Sequence, residues 1–215
     1  LIFLSILTQE LLNKKGVGMS NDDNNEIQRN SEDCEEGVID VAANRRAVKW
    51  EFQELLHRLC WSFAFPFFRF SPRLFWSWRA ILLRVFGAKI GKNVHIYPTV
   101  QITMPSNIEI GNDCAIGDRV ILYALGRIHI GDRTTVSQGS HLCAGSHDIT
   151  KSSRPLLKSP IDIAQDVWIC ADSFVGPGVV IGRGAIAGAR SVVIRNVDSG
   201  DVVVGNPARS TKRSC

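Results

Sequence analysis

The sequence has no run both long and apolar enough to span a bilayer. Residues 1–7 are apolar but too few, with no basic flank before them and no cleavage site after them. The apolar stretch after residue 60 is broken by Pro66, Pro72, Arg69, Arg73, Arg79 and Arg84, which argues against a span there as well. None of the six cysteines forms a C-x-x-C pair, so that zinc or redox spacing is absent. Cys114, Cys143 and Cys170 stand where neighbouring units carry Ala, Ser or Gly, which reads as free thiols packed as small residues in a reducing cytosol. No basic run alternates with aromatics in the second half, so nucleic acid is not the expected partner.

Charge is present but uneven. Residues 20–40 hold eight acids and one Arg, a local net of −7, so a chain of formal charge +4 carries about +11 elsewhere. That balance favours an anionic ligand or surface. The first Met is Met19, and we expect it to be the true start, with 1–18 an upstream artefact. The polar, acidic composition that follows predicts disorder, so 1–47 is read as a disordered or mis-assigned extension.

Helical spacing begins near residue 48. Phe52, Leu55, Leu56, Leu59, Cys60 and Phe63 recur on one face, and Pro66 is expected to end this helix. Ser71-Pro72 reads as an N-cap with Pro at the first helical position, and Gly87 as the stop of a second helix. Residues 48–86 are thus a helical segment. It either packs on the domain that follows or lies on the inner membrane surface, with Arg69, Arg73, Arg79 and Arg84 reaching head groups.

From Ile90 the period is six. Units opening with an aliphatic and then a small residue are Ile90-Gly91, Ile110-Gly111, Ile116-Gly117, Ile130-Gly131, Val136-Ser137, Leu142-Cys143, Ile163-Ala164, Ile169-Cys170, Val175-Gly176 and Ile181-Gly182. Repeats of this kind outrank local propensity and predict a β-solenoid over 87–205, with 206–215 as a tail. The aliphatic points into the prism. The next residue is small because coils approach at strand spacing, about 4.8 Å. Two-residue slips at 102–110 and 122–130 predict bulges. The 21 residues from Leu142 to Ile163 read as one coil of 18 plus three, with a loop projecting after His147.

WRAILLRVFGAKIGKNV (78–94), ILYALGRIHIG (121–131), VSQGSHLCAGSHD (136–148), VWICAD (167–172), PGVVIGRGAIAGARSVV (177–193) and GNPA (205–208) resemble the colanic acid biosynthesis acetyltransferases. These are a sugar O-acetyltransferase group among the hexapeptide-repeat acyltransferases. The resemblance implies an all-β solenoid, a left-handed parallel β-helix, assembled as a homotrimer with active sites between subunits. It implies acetyl-CoA as co-substrate, no metal, and a sugar or a lipid-linked or nucleotide-linked saccharide as acceptor.

The site residues follow from the same resemblance. His147, in GSHD, corresponds to the general base, a role that suits an imidazole titrating near neutrality. The role of Asp148 stays open. Trp168 would line the acyl-donor cleft, one coil from His147 on the same face. The Ala171 N–H would meet the developing oxyanion. Ala189 would leave room for the pantetheine arm, and Arg195, Arg209 and Lys212 would meet the nucleotide phosphates. His141 falls on another face than His147. His95, His129, His141 and His147 lack the spacing of the zinc carbonic anhydrases that share this fold. The alternatives are a hexapeptide acyltransferase acting on an amino sugar or small metabolite, and a non-catalytic assembly protein.

Overall fold

The computed structural model describes residues 39–47 and 49–211. From Lys89 to Val204 the chain winds as a parallel β-solenoid with three walls. The first wall stacks Lys89–Ile90, Ile108–Ile110, Ile128–Ile130, Ile161–Ile163 and Val180–Ile181. The second stacks His95–Ile96, Ala115–Ile116, Thr135–Val136, Trp168–Ile169, Ile186–Ala187 and Val202–Val204, with Arg209–Thr211 added antiparallel. The third stacks Gln101–Ile102, Ile121–Tyr123, His141–Cys143, Phe174–Val175 and Val192–Val193.

The predicted aliphatic stacks form the core. Ile110, Ile130, Ile163 and Ile181 lie in register on the first wall, and the last three are fully buried. Each such burial contributes roughly 1.5–3 kcal/mol relative to exposure. The small second residue has the expected cause. A Cβ on Gly131 would lie 2.5 Å from the Gln165 nitrogen and 2.6 Å from the Ala164 carbonyl carbon, both backbone atoms of the next coil. The corner between the first and second walls is tight enough to hold Asn93, Asp113, Arg133 and Asp166 at φ of 53° to 63°.

Among the described residues three helices precede the solenoid: α1 (Val41–Arg46), α2 (Phe52–Arg69) and α3 (Trp76–Val85). Helix α1 corrects part of the expected disorder of 1–47; residues 1–38 lie outside the described residues. Asp40 caps α1 by accepting from the Ala43 N–H at 2.8 Å, and its own N–H donates to Ser152 O at 3.0 Å, so tertiary contacts order this turn. Helix α2 does not stop at Pro66. Proline forfeits one N–H bond, but burying Phe68 completely, against Trp61, carries the helix one turn further. Helix α3 does not start at Ser71-Pro72 either. The Ser71 hydroxyl donates to Phe68 O at 2.7 Å and accepts from Arg79, so it closes α2 rather than opening α3.

The helices pack on the solenoid, and polarity explains how. Each strand of a coil donates its N–H groups to the next coil, as Gly91, Tyr97 and Thr103 do to Ile110, Ile116 and Leu122. The carbonyls of Ile90, Ile96 and Ile102 therefore face an open end, with no strand beyond them among the described residues. One side chain caps each: Arg84 on Ile90, Arg79 on Ile96, and the Trp61 indole N–H on Ile102 at 2.9 Å. An exposed sheet edge invites pairing with other chains, and this cap removes it.

The same geometry removes Arg79 and Arg84 from the alternative in which the four arginines reach lipid. Arg79 is fully buried, and Arg84 donates to Ile90 O at 3.0 Å and Gly91 O at 2.7 Å. Among the described residues, no helix is long and apolar enough to cross a membrane.

Candidate active site

Extra residues enter the solenoid at one corner only, between the third and first walls, and they stack there. In the first coil Pro105–Asn107 makes a 3-10 turn, and the Asn107 amide donates to Ala124 O and Leu125 O at 3.0 Å each. In the second coil the Gly126 N–H donates to Ala144 O at 2.8 Å. A side chain at Gly126 would strike Ala144 O and Ser159 O, at 2.9 and 2.8 Å. This pile supports the largest insertion, a hairpin whose strands Ser146–His147 and Leu156–Leu157 pair antiparallel, outside the three walls.

Strand register corrects the reading of this break. Ile130 pairs with Ile163, Val136 with Ile169 and Leu142 with Val175, so the strand after Cys143 is the next step of the same path. The insertion lengthens one corner and replaces no coil. His147 therefore stands on the corner between the third and first walls, whereas Trp168 stands on the second wall between Thr135 and Ile186. Within one subunit the two do not share a face.

His147 is exposed and held by a single strong contact. Its Nδ1 lies 2.7 Å from Arg154 O. A carbonyl only accepts, so the neutral ring carries its proton on Nδ1, and Nε2 keeps its lone pair. Asp148 does not touch the ring. Its Oδ1 accepts from the Thr150 N–H at 3.0 Å and hydroxyl at 2.6 Å, and these bonds hold its carboxyl below the ordinary range. It shapes the turn that returns the chain to Pro155, whose carbonyl accepts from the Asp148 N–H at 2.9 Å.

The other expected residues divide into two groups. Ala171 and Ala189 stack below Gln138, which was not among the expected residues, at the corner of the second and third walls, where Asp172 N–H donates to Gln138 O and Arg190 N–H to Ala171 O. Trp168 flanks this column, half exposed, with its indole N–H on Ser137 Oγ at 2.9 Å. Among the described residues the Ala171 N–H donates to no other group, and the Ala189 methyl faces solvent. Arg209 sits below, on the strand that pairs with Val202–Val204. Arg195 falls elsewhere, after Val193 and before the Ile181–Val197 bridge, on the corner that also carries the His147 hairpin. Lys212 lies outside the described residues.

His141 lies on the third wall, between the rings of Tyr123 and Phe174, at 6.3 and 5.5 Å between centroids. Burial pushes its pKa down, and its Nε2 is buried without a hydrogen-bond partner. Among the described residues no three His, Cys, Asp or Glu side chains converge in a way that would hold a metal ion. Sequence reasoning missed Ser137, which steadies Trp168, Arg154, whose carbonyl meets His147, and Asn44, whose amide meets that carbonyl. Arg154 acts through its backbone carbonyl, for which no side-chain signal exists.

No family model matches the chain. A protein of Escherichia coli K12 that carries the name colanic acid biosynthesis acetyltransferase is 46% identical over 151 residues, covering 70% of this chain and 83% of that protein. The galactoside O-acetyltransferase of the same organism is 28% identical over 134 residues, or 61% and 66% of the two chains. The hexapeptide-repeat acetyltransferase of Vibrio cholerae superposes with a TM-score of 0.71 at 25% identity, over 75% of this chain and 93% of that one. Its complex with acetyl coenzyme A gives the same TM-score at 24% identity, over 77% and 91%. The three-walled solenoid, its inserted hairpin and the 46% identity together show that the chain belongs to the hexapeptide-repeat acetyltransferases, with the left-handed parallel β-helix of that family.

Proposed function

We propose that this acetyltransferase moves the acetyl group of acetyl-CoA onto a hydroxyl of a sugar, free or lipid- or nucleotide-linked, during exopolysaccharide assembly in the cytoplasm. The observation that carries the reading is the Nδ1–H of His147 on Arg154 O, which leaves a basic Nε2 at an open surface. Nε2 takes the acceptor proton as the hydroxyl oxygen attacks the thioester carbonyl. The Ala171 N–H donates to the oxyanion of the tetrahedral intermediate. Collapse expels the coenzyme A thiolate, which recovers the proton from the imidazolium. The pantetheine arm runs past Ala189, and Arg195, Arg209 and Lys212 meet the phosphates.

The division of the site supports a homotrimer. His147 and Arg195 lie along one corner, and Trp168, Ala171, Ala189 and Arg209 lie along another side of the prism. A neighbouring copy brings one group opposite the other. The test is acetyl transfer from acetyl-CoA to a panel of sugars, paired with sedimentation equilibrium. The expected result is O-acetylated sugar made by a trimer. A stable monomer that still turns over, or transfer to amines only, would overturn the composite site or the hydroxyl acceptor respectively.

We further propose that the outer face of α2 and α3 rests on an anionic membrane. Phe63, Phe67, Phe70, Leu74 and Val85 are each at least 68% exposed. No acid occurs between Glu54 and Glu109 while seven Lys or Arg do; Arg79 and Arg84 turn to the first coil, but Arg69 and Arg73, next to Phe70 and Leu74 in sequence, stay exposed. The full chain should float with phosphatidylglycerol vesicles and not with neutral ones. Changing Phe67, Phe70 and Leu74 to Ser should abolish flotation without unfolding the solenoid. Failure of the wild type to float would overturn the membrane reading, and flotation by the triple variant would place the membrane contact on another surface.

A further inference from the structure

The contact that sets the His147 tautomer is itself held from outside the repeat. The Arg154 carbonyl accepts a second hydrogen bond, from the Asn44 side-chain amide at 2.6 Å. The same amide donates to Ser153 O at 2.7 Å. Lys49 Nζ donates to Asn44 Oδ1 at 2.7 Å, which fixes the amide's orientation and turns its NH₂ toward the two carbonyls. The clamped residue is not relaxed. Arg154 has φ of 43°, in the left-handed region, where a non-glycine residue persists only when its surroundings hold it. The Asp40 N–H on Ser152 O, at 3.0 Å, adds a third tie between α1 and this loop. Helix α1 therefore grips 152–154 at three successive carbonyls.

We infer that Asn44 is a positioning residue for His147, acting through the Arg154 carbonyl. This rests on the reading of His147 as general base. With Asn44 in place, Arg154 O stands fixed, Nδ1–H has a single acceptor, and Nε2 points one way. Without it, the 151–155 turn relaxes, Arg154 O drifts, and the ring loses both its tautomer and its aim. A base misplaced by about 1 Å loses rate steeply, while binding of the distant nucleotide is untouched.

The experiment uses the full chain and two variants, Asn44→Asp and Asn44→Ala. Asp is isosteric and removes both donors. Turnover is measured at saturating acetyl-CoA, and the His147 imidazole is read by ¹⁵N NMR with labelled histidine. Both variants should lose about tenfold to hundredfold in kcat with the KM for acetyl-CoA unchanged. The His147 nitrogens should move from a fixed Nδ1–H form to a mixture of tautomers. A merely structural role would lower the melting temperature or the yield without moving the ¹⁵N signature. Near-normal kcat in Asn44→Asp, or lost kcat with an unaltered His147 spectrum, would overturn the proposal. His147→Ala separates the two levels of the argument: if it turns over normally, the base reading fails; if it is inactive while Asn44→Asp is normal, only the positioning role fails.

Discussion

Replacing His147 with Ala should lower acetyl transfer by about 10²–10⁴-fold, or roughly 3–5 kcal/mol of barrier, and leave the fold intact. The side chain is exposed, so no core volume is lost. What disappears is the Nε2 lone pair, which stays available because Nδ1 is the nitrogen committed to Arg154 O. Coenzyme A affinity should change little, because the proposed contacts to the nucleotide lie at Arg195, Arg209 and Lys212. His141→Ala is the control. That ring is packed between Tyr123 and Phe174 on another wall, where burial disfavours its charged form, and it should retain turnover. The measurement is the initial rate with acetyl-CoA and an accepted sugar, for wild type and both variants. Near-normal turnover in His147→Ala, or loss in His141→Ala alone, would show that the base lies elsewhere.

The repeat was legible because its physics is local and periodic. Ile130-Gly131 carries the whole argument in two residues: an aliphatic that must stack, and a glycine whose Cβ would strike the next coil. The loop was harder. Leu142 to Ile163 spans 21 residues, which equals one coil plus three or one six-residue step plus fifteen. Hydrophobic period cannot separate these sums. Pairing of Leu142 with Val175 and Ile130 with Ile163 does, and it moves Trp168 off the face of His147. Within one copy the proposed site is consequently split between two sides of the prism, where the sequence placed His147 and Trp168 on one face.

Arginine posed a second kind of ambiguity. Arg79 and Arg84 sit in an apolar helical run, and from sequence an arginine there can snorkel to a head group or turn inward. The deciding fact is the open end of the first coil, whose carbonyls need donors. That need is created by the solenoid's polarity and is invisible to a helix wheel. Asn44 is harder still, because its partners are backbone carbonyls 109 and 110 residues away.

The edge cap leads to the second large effect. Arg79→Met should destabilise the chain by about 3–5 kcal/mol. The guanidinium is fully buried and donates to Ile96 O, to Ser71 Oγ at 2.9 Å, to Pro72 O at 2.8 Å and to Arg73 O at 2.6 Å. Its Cζ also lies 4.9 Å from the Trp76 ring centroid. Burial pulls its pKa down from the usual arginine value. Among the described residues no carboxylate pairs with it, so carbonyl dipoles carry the compensation. Met fills much of the volume but satisfies none of these acceptors, and each carbonyl left without a partner costs about 1–3 kcal/mol. Arg79→Lys should recover little, because one ammonium on a flexible stem cannot reach a fork of acceptors. The loss should be visible as a lower urea midpoint at fixed protein concentration. It should come with concentration-dependent association, because the Ile96 edge of the first coil is then open to pair with another chain. Specific activity of the folded fraction should stay near wild type, since α3 contacts the first coil and the His147 hairpin is carried by the third. A midpoint within experimental error of wild type would mean that the helices are held by Trp61, Phe68 and Leu83 alone, and that the carbonyl caps are incidental.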